Sequence, residues 1–173
     1  GDYEIADHAG ALRQAAATRP WMDLSRAGVF GGSYGGYFSI RALIQAPDLY
    51  RSAAALAPAE LGPGIMTMPV ESYIGLTADD PARYAAIRNT DKLKDVTGDL
   101  LIITGTEDVK TPLDQTMAYA RALISAGKTF DQIVIPAVNH VLVDATGRAD
   151  TVFAYAAMMR HFQRTLMPQG TAQ

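Results

Sequence analysis

Cysteine is absent from the sequence, which excludes disulfide staples, thiolate nucleophiles and cysteine-ligated metals. Histidine is scarce. The three residues, His8, His140 and His161, are dispersed without an H-x-x-x-H or similar pairing, so neither a metal site nor a cofactor is expected. No apolar run approaches the ~20 residues of a membrane span, and no signal-peptide pattern occurs, so no membrane partner is expected. Basic blocks are missing too. With 15 Lys and Arg against 18 Asp and Glu and a net charge of -3, a nucleic-acid surface is not expected. An initiator Met is also lacking, and we expect the native start to lie upstream of Gly1. Internal repeats and low-complexity tracts do not occur. What is present is ordinary globular material, 173 residues with 49% hydrophobic and 19% charged side chains. That suits a single domain over residues 1–173 with a proper core.

The most informative stretch is Val29-Phe30-Gly31-Gly32-Ser33-Tyr34-Gly35-Gly36-Tyr37. It reads as a buried strand end, a very tight turn and a helix start. Gly31 to Gly35 fits G-x-S-x-G, the nucleophile elbow of α/β-hydrolases. Alone, that pattern arises by chance in roughly one chain of this length in twenty; its context makes it informative. Ser33 must occupy a strained strand-to-helix turn so that its hydroxyl stands clear of the backbone. Glycines flank it because a Cβ there would collide with the neighbouring strand and helix. The same turn aims the Tyr34 backbone N–H, at a helix N-terminus, toward a developing oxyanion.

Around this stretch, helices alternate with short apolar runs. Ile5, Ala9, Leu12 and Ala16 repeat at helical spacing, and Pro20 ends that helix near Thr18. Asp23 to Arg26 reads as a turn, and the helix after the elbow runs to about Ala46. Ser52 to Ala57 reads as a second buried strand, with helix as its competitor because of the alanines. Pro58 to Pro69 is irregular but apolar: either a loop packed on its own domain, or the wall of a substrate pocket beyond a strand end. A short helix near Glu71 to Ile74 follows, then one from Asp80 to Arg88 capped by Asp79 or Asp80. Leu100 to Thr104 is the clearest strand; Pro112 opens a helix over Leu113 to Ser125, closed by Gly127. Gln132 to Ile135 is the last strand. The final helix, about Asp150 to Leu166, shows Val152, Tyr155, Ala156, Met159, Phe162 and Leu166 as its apolar face. His8 and His161 fall on helices, where surface or structural roles are the simple reading. The fold class is therefore α/β, a mostly parallel sheet of about four strands with helices on both faces.

Ser33, Asp108 and His140 each lie just beyond the C-terminal end of a predicted parallel strand, so they share one rim. Their chain order, Ser…Asp…His, is that of α/β-hydrolases. Serine becomes a nucleophile when a neutral imidazole takes its proton, which assigns His140 as general base and then general acid. Asp108 would fix the His140 tautomer and stabilise the imidazolium. Asp108 could instead merely cap the next helix, leaving Glu107 or Asp114 as the acid.

These residues resemble those of the prolyl oligopeptidase family of serine peptidases, especially its dipeptidyl-peptidase and acylaminoacyl-peptidase branches. The resemblance rests on Gly31-Gly32-Ser33-Tyr34-Gly35-Gly36-Tyr37, Ala57-Pro58, Glu71-Ser72-Tyr73-Ile74-Gly75, Gly105-Thr106-Glu107-Asp108 and Asn139-His140. It implies the C-terminal portion of an α/β-hydrolase fold and hydrolysis of peptide substrates through a seryl acyl-enzyme. Ser33 would be the nucleophile, Asp108 the acid, His140 the base and Tyr34 one oxyanion donor. Tyr34, Ala59, Leu61, Gly62, Ile65 and Pro69 would line the substrate pocket. A carboxylesterase on the same fold and a non-catalytic scaffold are the alternatives. Several positions depart from the family pattern. Val141 replaces a usual glycine, Thr104 a common histidine, and Gly62, Ile65 and Pro69 replace the aromatics of proline-cleaving relatives. The resemblance also implies an upstream β-propeller and first hydrolase strands, which bring a tyrosine that completes the oxyanion hole. We therefore expect this chain to be incomplete as a catalyst, bound to its missing upstream segment or self-associating as a homo-oligomer through the exposed strand before Ser33.

Overall fold

Among the residues that the structure describes, four strands run parallel, side by side in the order in which the chain forms them: β1 (Ala27–Gly32), β2 (Tyr50–Leu56), β3 (Asp99–Gly105) and β4 (Asp131–Ile135). They belong to a computed structural model that describes residues 1, 3–62, 67–142, 145–147 and 149–167. Gly32 lies opposite Leu56, Leu56 opposite Ile103, and Gly105 opposite Ile135. The C-terminal ends therefore form one rim, and the loops leaving β1, β3 and β4 emerge together.

Helix α1 (Glu4–Ala17) precedes β1 and stops before Pro20, as the spacing predicts. Helix α2 (Tyr34–Gln45) connects β1 to β2, α3 (Thr67–Ile74) and α4 (Pro81–Ile87) connect β2 to β3, α5 (Leu113–Ser125) connects β3 to β4, and α6 (Thr151–Leu166) closes the chain. Asp80 caps α4 by accepting from the Arg83 N–H at 2.9 Å. Helix α3 begins at Thr67 rather than near Glu71, with Pro69 inside its first turn, where a missing N–H costs nothing.

The alternation of side chains along β2 settles its character. Ala53 and Ala55 face a core built with Leu100, Ile102 and helices α1, α2 and α5. Ala54 and Leu56 face the other core, with Leu101, Ile103, Ile135 and α6. The alanines that suggest a helix are small side chains that let helices approach the sheet from both sides, as a doubly covered parallel strand requires. A third cluster, Tyr37, Ala59, Leu61, Val70, Tyr84 and Ile87, sits beyond the rim. It is the floor of the loop after β2.

Only part of the apolar face expected for α6 packs: Phe162 reaches the core beside Ile135, and Phe162 and Leu166 crowd Gly28. Ala154, Ala157, Met158 and His161 are buried, whereas Val152 is 80% exposed and Tyr155 and Met159 are about half exposed. The small Ala154 and Ala157 let α6 approach the sheet closely, and hydropathy gives such residues little weight. His161 is buried because it finds partners. Its Nε2 lies 2.9 Å from Ser52 Oγ, and its Nδ1 lies 3.5 Å from Asp131 Oδ2. Burial, helped by the Arg164 guanidinium, pushes the imidazole below its ordinary value against the pull of Asp131. The neutral form is thus favoured in the fold. Stability from this site is full above the unfolded pKa of about 6.5 and falls as pH drops from there through the folded value. We expect the midpoint of thermal unfolding to decline below about pH 6.5 more steeply in the wild type than in His161→Gln. Identical pH slopes in the two proteins would refute this.

Candidate active site

Ser33 is the junction between β1 and α2, and its backbone is held at φ 59, ψ -116. A non-glycine residue there costs of order 1–3 kcal/mol, which the surrounding contacts must hold in place. The Ser33 N–H donates to the Leu56 carbonyl at 2.9 Å, and the Ser33 carbonyl accepts from the Ala59 N–H at 3.0 Å. Glycines make the approach possible. A Cβ on Gly31 would lie 2.6 Å from the Gly35 backbone, and one on Gly36 would lie 2.8 Å from Pro58 Cα and 2.9 Å from the Leu56 oxygen. Gly35 has open space instead. Neighbouring Gly→Ala changes in one helix should therefore diverge. We expect Gly35→Ala to be neutral or stabilising by up to about 1 kcal/mol, and Gly36→Ala to destabilise by about 1–3 kcal/mol. Thermal unfolding measures both, at roughly 2–4 °C per kcal/mol for a chain of this size. Equal midpoints would show that the turn is looser than its geometry.

Asp108 leaves β3 and His140 leaves β4. The loops are joined by Thr106 N–H to the Ile135 carbonyl at 3.1 Å and by Glu107 N–H to the Val138 carbonyl at 2.9 Å. His140 Nδ1 lies 2.8 Å from Asp108 Oδ2, and the Asp108 side chain is fully buried. Asp108 also accepts from the Lys110 and Thr111 N–H groups, each at 2.9 Å, so it caps the loop and holds the histidine at once. Glu107 and Asp114 are exposed. Burial alone would raise the Asp108 carboxyl, but hydrogen bonds from the Thr111 backbone and hydroxyl, His140 and Lys110 more than reverse this. It stays below the usual carboxylate range, ionised and positioned to orient an imidazole. The structure thus brings Asp108 and His140 into contact. Ser33 stands on the same rim, and its hydroxyl makes no hydrogen bond to His140 among the described residues. All four non-glycine residues with positive φ among the described residues, Ser33, Ala57, Ala137 and Leu142, lie at this rim. Strain concentrated in one place marks a functional site.

The sequence model of the prolyl oligopeptidase family matches residues 1–168. The chain belongs to the prolyl oligopeptidase family. It is 32% identical over 143 residues to dipeptidyl peptidase 8 of Homo sapiens, covering 81% of this chain and 16% of that protein. Among solved structures it is similar to dipeptidyl peptidase 4 of Porphyromonas gingivalis, with a TM-score of 0.85 at 23% identity, over 95% of this chain and 23% of that one. It is also similar to the acylaminoacyl peptidase of Pyrococcus horikoshii, with a TM-score of 0.81 at 21% identity, over 98% of this chain and 28% of that one. The fold is therefore the α/β-hydrolase fold of these serine-type peptidases, and the chain spans about a sixth to a quarter of the length of these relatives.

Beside Ser33, this prolyl oligopeptidase family chain has a cavity of about 560 Å³, within the range of small-ligand sites. Tyr34, Ala59, Leu61 and Pro69 line it as expected. Gly62 does not. It faces Arg88, whose Cγ would lie 2.9 Å from an added Cβ, because the chain there turns down onto the segment after α4. Ile65 lies outside the described residues. The sequence reading missed Val70, Tyr73, Ile74 and Ile87, which complete the wall from α3 and α4. Tyr73 and Ile74 lie in the Glu71–Gly75 stretch that carries the family resemblance, but no local pattern marks any of the four as pocket lining, since two separate helices have to meet there. It also missed Glu4, which lines the cavity and whose carboxylate accepts from the Tyr34 hydroxyl.

Proposed function

We propose that this chain supplies the nucleophile, acid and base of a serine peptidase that cleaves oligopeptides through a seryl acyl-enzyme. The observation that carries the reading is the 2.8 Å contact of His140 Nδ1 with the buried Asp108 carboxylate, on the rim that also presents Ser33. With Nδ1–H committed to Asp108, Nε2 is the ring nitrogen left to take the Ser33 proton. His140 then returns that proton to the leaving amine, and water, activated the same way, releases the acyl group. Tyr34, the first residue of α2, offers its backbone N–H at the positive end of the helix dipole to the oxyanion.

The wall formed by Ala59, Leu61, Val70, Ile74 and Ile87 is aliphatic, with Tyr34 and Tyr73 the aromatic residues among the described lining. It suits a modest apolar P1 side chain. Fewer aromatic faces for a proline ring should forfeit about 0.5–1.5 kcal/mol of stacking, roughly tenfold in discrimination. The upstream segment of the same protein is the proposed partner of β1, an outer strand of the described sheet whose Phe30 is 55% exposed.

A fluorophosphonate probe and a panel of chromogenic aminoacyl, dipeptidyl and ester substrates, applied to the intact protein, test the reading. Labelling should map to Ser33, with amide turnover highest for apolar P1 residues. Absence of labelling would favour a scaffold, ester turnover without amide turnover would favour an esterase, and a strong proline preference would refute the pocket assignment.

A further inference from the structure

One buried polar side chain at the rim has no role in the reaction as described so far. Thr111 is 0% exposed, although threonine is mostly a surface residue. Its hydroxyl oxygen lies 2.7 Å from Asp108 Oδ2, 3.1 Å from the Ala57 carbonyl oxygen and 3.3 Å from His140 Nδ1. A hydroxyl has one proton to donate, so it serves one of the two acceptors at a time. The shorter distance and the negative charge both select Asp108. The donors on that carboxylate can then be assigned completely. Oδ1 takes the N–H groups of Lys110 and Thr111, and Oδ2 takes the Thr111 hydroxyl and His140 Nδ1–H. Together they occupy the roughly four lone-pair sites of a carboxylate. The second acceptor is placed with equal care. Ala57 is held at φ 42, and it lies between Leu56, which accepts from the Ser33 N–H, and Ala59, which donates to the Ser33 carbonyl.

We propose that Thr111 is a positioning residue that acts through Asp108. Its hydroxyl shares Oδ2 with His140 and so limits how strongly the carboxylate holds the imidazolium. Its buried side chain also packs against the Ala57 carbonyl, 3.1 Å away, in the segment that grips the Ser33 elbow. The proposal rests on Asp108 and His140 being the acid and base. A carboxylate oxygen that already accepts from a hydroxyl is a weaker partner for a second donor. Removing that hydroxyl concentrates the charge on His140, which then gives up its proton less readily. Few other groups compete for the imidazole. Asp108 faces it from the acid loop, and Glu107 and Lys110 on that loop are exposed. Among the described residues, no other ionic side chain lies within ion-pair distance of His140.

Thr111→Val, which keeps the shape and deletes the donor, should be compared with Thr111→Ser and Asp108→Asn in the intact enzyme. The readouts are the pH profile of kcat/KM on a chromogenic peptide and the low-field proton resonance of His140 Nδ1–H. In Thr111→Val the acid limb should move up by about half a unit to one pH unit, less than the direct loss of one hydrogen bond to a charged group because the histidine feels it through Asp108. The resonance should shift, kcat should fall about tenfold, and KM should hold, because Thr111 does not line the cavity. Thr111→Ser should restore the wild-type profile. If the valine variant does not fold, Thr111→Ala must show the same upward shift and Thr111→Ser must not. An unshifted profile and resonance in Thr111→Val, with the resonance lost in Asp108→Asn, would overturn the role of Thr111 and leave the acid–base pair standing. Unchanged activity and resonance in Asp108→Asn would overturn that pair, and the proposal with it.

Discussion

Ser33→Ala should lower kcat/KM of the intact protein on its peptide substrates by about 10⁶-fold, the loss typical of a nucleophile that acts in concert with its base. The size follows from what the substitution removes. Deleting the hydroxyl eliminates the covalent route altogether, and the remaining donors and binding contacts supply a residual rate of roughly 10³–10⁴ over water. The strained φ of 59 at this position adds a second signature. Alanine would have to adopt the same backbone without the hydroxyl, so folding should be almost unaffected while turnover disappears. Retention of more than about a tenth of the activity would remove Ser33 from the mechanism.

His140→Ala should cost nearly as much, because a serine hydroxyl without a base within reach is a poor nucleophile. The two losses should not add. Once either member is gone the other has nothing to act on, so the double variant should fall no more than a few-fold below the worse single one. Kinetics of the two single variants and the double variant, measured on one substrate, decide the point. A double variant slower by the product of both factors would mean that Ser33 and His140 act independently, and the catalytic unit proposed here would have to be abandoned. Asp108 belongs to the same unit through its 2.8 Å contact with His140, and its effect should be smaller, about 10⁴-fold for Asp108→Asn.

Local signals made much of this legible. The glycines around Ser33 announce a turn because backbone lies within 3 Å of where their side chains would be at Gly31 and Gly36. Pro20, Pro112 and Gly127 punctuate helices where single residues decide the backbone. Helix α5 begins and ends where its flanking residues say it should. The strands β3 and β4 are apolar runs with clear breakers. Their C-terminal ends had to share a rim once the sheet was parallel, and this is why Asp108 and His140 could be paired across 32 positions.

What could not be read in the sequence is what depends on two distant segments meeting. The face α6 buries was legible only at Phe162, because periodicity weighs large apolar residues, whereas close packing selects the small Ala154 and Ala157, and a hydrogen bond to Ser52 makes burial of His161 tolerable. The pocket wall from Val70 to Ile87 appears only when α3 and α4 fold over the rim. Gly62 left the pocket because Arg88 packs against it. Thr111 carries no motif, and its meaning lies in three oxygen and nitrogen neighbours brought from three different loops. By itself the sequence determined the strand-turn-helix at Ser33, the parallel α/β plan and the order of the reactive residues, since backbone sterics and local periodicity act within a few residues. The tertiary structure alone removed Glu107 and Asp114 as rivals of Asp108, and decided which side chains line the cavity and which hydroxyl joins the histidine on the carboxylate, because those choices depend on distances across loops that no local rule encodes.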